Sequence, residues 1–206
     1  MSTQSEKEQQ IITEAMRVFM TYGIKSVTMD DIARHMRMSK KTLYQYVSDK
    51  NDLVSKCMAF DCKFTEETIN EIISKDLNAI EENFEISKYI VHELRNIHPS
   101  IFYDLEKYHR DAWNTMHELR HGFVDRVMQQ NLERGINEGF YRKDLNVAIM
   151  TKLWVARLNI IFDPSIFPMR EFTIVDVYRA MFLHHVRGIA SNEGLKFIDQ
   201  NKDKLN

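Results

Sequence analysis

Apolar residues recur at helical spacing from the start of the chain. Ile12, Ala15, Met16, Phe19 and Met20 fall at i, i+3, i+4, i+7 and i+8, which predicts an amphipathic helix closed by Gly23 just past its end. Thr28-Met29-Asp30-Asp31 has the form of a capping box with Thr28 as N-cap, and Met29, Ile32, Ala33 and Met36 give the stripe of a second helix. After a short turn at Arg37-Met38, Ser39 is placed to cap a third helix that starts at Lys40. Leu43, Tyr46 and Val47 make its inner stripe, so Lys40, Lys41, Thr42, Tyr44 and Gln45 point elsewhere. Asp49-Lys50-Asn51-Asp52 offers a second capping box. It opens a fourth helix that carries Leu53, Cys57, Phe60 and Phe64 and runs on through Ile69, Ile72 and Ile73. Two helices joined by three or four residues are spaced as in a helix-turn-helix.

Beyond Asp76 the helical periodicity continues while the local motifs stop. Ile80, Phe84, Ile90 and Leu94 predict a fifth helix ending near His98, and Pro99 suits the first position of a sixth through Ile101, Phe102 and Leu105. A long seventh helix carries Trp113, Met116, Leu119, Phe123, Val127 and Leu132 and closes at Gly139. Residues 147–162 are apolar on more than one face and must be covered on several sides. Asp163-Pro164-Ser165-Ile166-Phe167-Pro168 breaks the chain, and a ninth helix opens at Thr173 and runs through Val177, Met181, Phe182, His185 and Ile189 to Gly194. The expected fold is all-α with about nine helices. It divides into an N-terminal three-helix domain over 1–50, with the helix-turn-helix at about 28–47, and a helical domain over 51–206.

Composition adds little globally and something locally. Net charge is −2 over 206 residues, so any contact with a polyanion must be local. Between residues 25 and 50, however, Lys25, Arg34, Arg37, Lys40, Lys41 and Lys50 face only Asp30, Asp31 and Asp49, a local excess of three positive charges. The outer face of the third helix combines ammonium, hydroxyl and amide groups. Lysines suit phosphate oxygens and guanine acceptors, and a glutamine suits the adenine edge, so this face has the chemistry of a DNA groove reader. Taken alone the segment reads better as a solvated helix surface, so the case depends on what flanks it. Lys50, at the first position of the fourth helix, could meet one phosphate together with the free amides there. The N-terminus has no apolar leader, and no uncharged run is long enough to span a bilayer, which fits a cytoplasmic protein without a membrane partner. Cys57 and Cys62 are five apart and do not form a CxxC pair, so they read as two buried thiols. No cofactor or metal is expected.

The order of these features resembles the DNA-binding domain of the tetracycline-repressor (TetR) family. The resemblance rests on Gly23, Thr28-Met29-Asp30-Asp31-Ile32-Ala33, Ser39-Lys40-Lys41-Thr42-Leu43-Tyr44-Gln45-Tyr46-Val47 and Lys50-Asn51-Asp52-Leu53, about the first third of the chain. Two positions depart from the common pattern. Arg37 stands where many members have a turn glycine, and Val47 where an aromatic is frequent. An arginine in a left-handed conformation costs on the order of 1 kcal/mol, and here it could gain a phosphate contact. The resemblance puts Lys40, Lys41, Thr42, Tyr44 and Gln45 in or along the major groove, with Gln45 and Lys41 as base readers, and Thr28, Tyr46 and Lys50 on phosphates. Ser39 serves as the cap of the reader.

The resemblance also implies an effector cavity among the middle helices, a homodimer and a palindromic operator in double-stranded DNA. Phe84, Tyr89, Phe102, Tyr103, Tyr108, Trp113, Met116 and His117 would suit a small apolar or aromatic effector, although aromatic stripes at helical spacing are also what cores are made of. The two apolar helices near the C-terminus, with Trp154, Leu158, Val177, Met181 and His185, suggest a four-helix bundle made with a second copy. Burial within one chain is the alternative. His117-Glu118-Leu119-Arg120-His121 matches the H-E-x-x-H pattern of zinc hydrolases, but no third ligand follows at the extended spacing. The sequence is compatible with three functions: a ligand-released transcriptional repressor that is not an enzyme, which the motifs favour; a DNA-binding dimer without effector; and a zinc hydrolase.

Overall fold

Side-chain caps open most of the helices in the computed structural model, which describes residues 3–201. Among these residues there are eleven α-helices, one π-helical turn and one isolated antiparallel bridge, between Tyr141 and Ala190. The helices are α1 (Thr3–Tyr22), α2 (Met29–His35), α3 (Lys40–Leu43), α4 (Lys50–Ile73), α5 (Ala79–Arg95), α6 (Ile101–Tyr108), α7 (Arg110–Leu119), α8 (Asp125–Asn137), α9 (Val147–Ile160), α10 (Ile174–Ile189) and α11 (Asn192–Gln200). The all-α expectation is met. The chain forms two compact units, Met1–Thr65 with Asn96–Leu119, and Glu66–Arg95 with Arg120–Asn206.

In the first unit, α1 buries Ile11, Ala15, Val18 and Phe19. Its inner stripe is therefore rotated by about one residue from the expected one, and Ile12, Met16 and Met20 flank it half-buried. Gly23 ends the helix at φ 82°, a left-handed conformation a glycine adopts without penalty, and its N–H donates to Phe19 O at 2.8 Å. Ile32, Leu43, Val47, Leu53 and Cys57 complete this core together with Ile101 and Leu105 of α6. Phe64, expected on the inner face of α4, is 50% exposed. Burial pushes the Cys57 thiol up to about 12, and it donates to Ile12 O, so it is an inert core thiol. Pro99 does not enter α6, which is preceded by Ser100.

The second unit is held by a buried polar network as well as by apolar packing. Tyr141, 1% exposed, donates from its hydroxyl to Asn131 Oδ1 (3.0 Å) and Ala79 O (3.1 Å) and accepts from Asn83 Nδ2 (2.8 Å). Asn131 donates to Ala79 O and to Glu82 Oε1, while Arg134 pairs with Glu82 at 2.8 Å. Tyr141, Asn83, Asn131 and Glu82 are hydrogen-bonded to one another or to the backbone, whereas Arg134 Nε and Nη2 are held by ion pairs to Glu138 and Glu82 without a hydrogen bond. Elsewhere Phe84, Trp154, Tyr178 and Phe182 pack edge-on or stacked, with Phe84 and Phe182 ring centres 5.1 Å apart.

The expected long seventh helix is an unbroken helical run over 110–137, interrupted in hydrogen-bond pattern by a π turn at Arg120–Val124. Arg120 is buried there and donates to Asn159 Oδ1 at 2.8 Å, with its guanidinium 4.9 Å from the centre of the Phe162 ring. The expected ninth helix splits in two. Backbone at Ala190 is extended, and Ser191 accepts from Gly194 N to cap α11, so Gly194 lies inside a helix instead of ending one.

Candidate nucleic-acid interface

The helix-turn-helix is built by two caps and one strained residue. Thr28 Oγ1 accepts from Asp31 N at 3.2 Å while Asp31 Oδ2 accepts from Thr28 N at 3.0 Å, so both arms of the capping box form. The same carboxylate accepts from the Thr28 hydroxyl at 2.6 Å, and these bonds hold Asp31 below the usual carboxylate range. At the other end of α2, Arg37 N donates to Arg34 O and Met38 N to Ala33 O, the paired bonds of a Schellman ending. Arg37 sits at its left-handed position with φ 52°, where the sequence pattern expected it. Its side chain is exposed and free of partners among the described residues.

Ser39 then caps α3, accepting from Thr42 N at 3.0 Å, with its hydroxyl 2.8 Å from that of Thr42. The α-helical stretch ends at Leu43, sooner than expected. Beyond it Gln45 N donates to Thr42 O and Tyr46 N to Leu43 O, so the chain tightens into a three-residue turn. Lys56 fastens that turn from behind, with Nζ donating to Tyr46 O and to Glu8 Oε1, both at 2.8 Å. This support escaped the motif, and its one local signal is the Asp52–Lys56 pair at i, i+4.

Burial separates two faces over these eight residues. Leu43 and Val47 are 0% and 2% exposed, whereas Lys40, Lys41, Tyr44 and Gln45 are open to solvent and Thr42 and Tyr46 half-buried. Lys40 is drawn to Asp30 at 3.0 Å, which raises its ammonium pKa. Among the described residues, Lys41 and Gln45 have no side-chain partner and remain available to a ligand. Lys50 opens α4 half-buried; burial lowers its pKa, with Asp104 and Asp31 opposing the shift. Asp104 of α6 is 3% exposed and accepts from Lys25 N at 3.0 Å and Ser100 Oγ at 3.1 Å, so a buried carboxylate stands near the clamp position. His109 lies there too, with Nδ1 buried and unpartnered and its pKa lowered by burial and then by Lys50.

The residues expected to line an effector site are distributed. Phe84 and Tyr89 belong to the second unit; Phe102, Tyr103, Tyr108, Trp113, Met116 and His117 belong to the first. Phe84, Phe102 and Met116 are core residues, Tyr89, Trp113 and His117 half-buried, and Tyr103 and Tyr108 exposed. Lys107 bridges the last two, donating to Tyr103 Oη at 2.6 Å and lying 5.6 Å from the Tyr108 ring centre. In the second unit a cavity of about 40 Å³, with Phe123, Val127, Trp154 and Phe182 in its wall, leaves room for little more than a water.

Of the residues expected at a dimer interface, Trp154, Val177 and His185 lie inside the second unit, with Leu158 and Met181 half-buried. The apolar residues left uncovered on α9 are instead Ile149 (56% exposed), Leu153 (43%) and Ile160 (43%), which share one face with Ala156. The five residues matching H-E-x-x-H straddle the change from α7 to the π turn, with His117 half-buried and His121 exposed. No group of three or more His, Cys, Asp or Glu among the described residues is arranged to hold a metal ion.

A capped helix-turn-helix with a polar outer face, carried by an all-helical body, defines the class: a DNA-binding transcriptional regulator. Residues 11–57 match the family model described as bacterial regulatory proteins, tetR family. Along most of its length it is similar to YvaF of Bacillus subtilis, an uncharacterized HTH-type transcriptional regulator, at 25% identity covering 90% of this chain and 97% of that one. The fold is shared with a putative transcriptional regulator from Saccharomonospora viridis solved in complex with choline, at a TM-score of 0.74 and 12% identity over 91% of this chain and 100% of that one. It is also shared with the regulator FadR from Bacillus subtilis in complex with stearoyl-CoA, at a TM-score of 0.65 and 19% identity over 88% and 98%. No described helix is long and apolar enough to cross a membrane.

Proposed function

We propose that the protein is a homodimeric cytoplasmic repressor, without catalytic activity, that binds a palindromic operator and is released by a small-molecule effector. The observation that carries the DNA-reading part is the separation of faces over residues 40–47: Leu43 and Val47 are shut in the core while Lys41 and Gln45 stand exposed with free donors and acceptors. In this reading Gln45 and Lys41 read base edges, with Lys40, Thr42 and Tyr44 along the groove rim. Thr28, Arg37, Tyr46 and Lys50 contact phosphates, and Ser39 fixes the start of the reader. Lys40 would exchange Asp30 for a phosphate on binding, a trade between two anions at a solvent-exposed site.

The effector part draws support from two proteins of the same fold solved with choline and with stearoyl-CoA. Release requires a difference in DNA affinity between two conformations, and a coupling of about 1–3 kcal/mol changes affinity roughly 5- to 150-fold. α4 is suited to transmit it, since one continuous helix begins at Lys50 and ends at Ile73 in the second unit. For the dimer, the uncovered stripe Ile149, Leu153, Ala156 and Ile160 on α9 replaces the core residues of the sequence pattern as the contact surface.

Two substitutions separate reader from clamp. Gln45→Ala is expected to narrow the affinity gap between operator and mutated operator by about 1–3 kcal/mol per half-site. Lys50→Ala is expected to weaken binding to all sequences alike and to reduce the slope of log K against log salt by about one for each half-site. Titrations of both variants by fluorescence anisotropy at several salt concentrations check this. Identical behaviour of the two would remove the distinction.

A further inference from the structure

A groove of about 500 Å³ lies between α5 and α10 within the second unit, and its wall has an uneven character. Its apolar lining is made by the buried Phe84 and Val91 of α5 and Phe182 of α10, with Leu183 of α10 partly open to solvent. Lys88, His92, Arg95 and Arg179 also line it, and none of the described residues that line it is acidic. Lys88 is partly engaged by Glu85 at 3.1 Å. Arg95 and Arg179, both exposed, form no ion pair among the described residues, although acidic residues outnumber basic ones in the chain as a whole, 30 to 28. Two unpaired guanidiniums beside an apolar lining are therefore a local departure from the protein's charge.

We propose that this groove binds an amphipathic anion, a single acidic head group on an apolar tail, with Arg95 and Arg179 holding the head and Phe84, Val91, Phe182 and Leu183 covering the tail. The chemistry follows from the lining. A planar guanidinium presents paired donors that match the two oxygens of a carboxylate or phosphate, and a charge-assisted bond of this kind is about twice as strong as a neutral one. The volume lies within the usual range for small-molecule sites. Phe182 also lines the small cavity beside Trp154, and the Trp154 and Phe182 ring centres are 6.3 Å apart, so a single ring separates the groove from an indole. A cationic ligand is disfavoured, because the described residues that line the groove offer it no carboxylate.

The proposal deepens the effector reading and rests on it only for the consequence at DNA. The test is calorimetric titration of the full chain with dodecanoate below its micelle concentration, compared with dodecyltrimethylammonium and dodecanol. Dodecanoate is expected to bind at least about tenfold more tightly than either. Arg95→Ser/Arg179→Ser is expected to lose about tenfold or more for dodecanoate with dodecanol unaffected, and Arg95→Lys/Arg179→Lys to recover part of that loss. Circular dichroism of each variant confirms its fold. Equal binding of the cationic or neutral compound, or an undiminished dodecanoate affinity in the serine variant, would overturn the proposal. Operator release is read separately. Dodecanoate binding with DNA affinity unchanged supports the groove and counts against its use as the effector site. Release by another compound with no dodecanoate binding sinks the groove and leaves the effector reading standing.

Discussion

Gly135→Val is expected to destabilise the second unit by about 4 kcal/mol or more, a large part of the 5–15 kcal/mol typical of a folded protein. A Cβ at this position in α8 would stand 2.1 Å from Tyr141 Cδ2 and 2.3 Å from Cε2, well inside contact distance. The ring cannot yield cheaply. It is 1% exposed, and its hydroxyl is tied to Asn131, Asn83 and Ala79 O, so displacing it strands several buried polar groups at about 1–3 kcal/mol each. The Gly135 carbonyl is also tied to the turn before the Tyr141–Ala190 bridge, since it accepts from Tyr141 N at 2.9 Å. Urea unfolding followed by circular dichroism checks the expectation, with Gly122→Ala as the control. Gly122 has nothing within 4 Å of its would-be Cβ, and that variant should stay within about 1 kcal/mol of the parent. A Gly135→Val protein of parental stability would mean that the Tyr141 network does not hold the unit together.

The second large effect is a pH dependence carried by His185. This imidazole is 2% exposed, neither ring nitrogen has a hydrogen-bond partner, and it lies against Trp154 with ring centres 4.6 Å apart. Burial lowers its pKa to about 4, with the Arg157 guanidinium and His184 adding to the shift. In the unfolded chain the same group titrates near 6.5. Above that pH it is neutral in both states and contributes no dependence. As pH falls from about 6.5 towards 4 the unfolded chain takes up the proton and the folded one does not, so stability is lost across that window. At pH 4.5 the loss is about 2–3 kcal/mol relative to pH 7.5. His185→Leu removes the titrating group and should shrink the stability difference between these two pH values by that amount. An unchanged difference would show that other groups carry the acid sensitivity.

Local features of the helix-turn-helix were legible in the sequence because each rests on residues a few positions apart. Thr28 and Asp31, Ser39 and Thr42, and the left-handed Arg37 are all decided by side chains and backbone within one turn. Partners distant in sequence were not legible. Asp104 meets Lys25 N across 79 residues, and Lys56 meets Glu8 across 48, and no periodicity announces either bond. The C-terminal helices show the same limit in another form. Their apolar residues cover more than one face, so the pattern could not tell Trp154 and His185, which face inward, from Ile149 and Leu153, which face out. The split between α10 and α11 was hidden because Gly194 has the composition of a helix end. Its actual role is close approach, since a Cβ there would stand 2.1 Å from Phe140 O.

Residues 40–47 are expected to read DNA as one half of a two-fold pair. Hydroxyl-radical footprinting of the protein on DNA upstream of its own gene tests it most directly. Two protected half-sites related by a dyad are expected, with centres roughly 34–36 Å apart or a multiple of it. Protection should disappear when the half-site bases are changed. Protection without symmetry, or protection of any sequence equally, would contradict it.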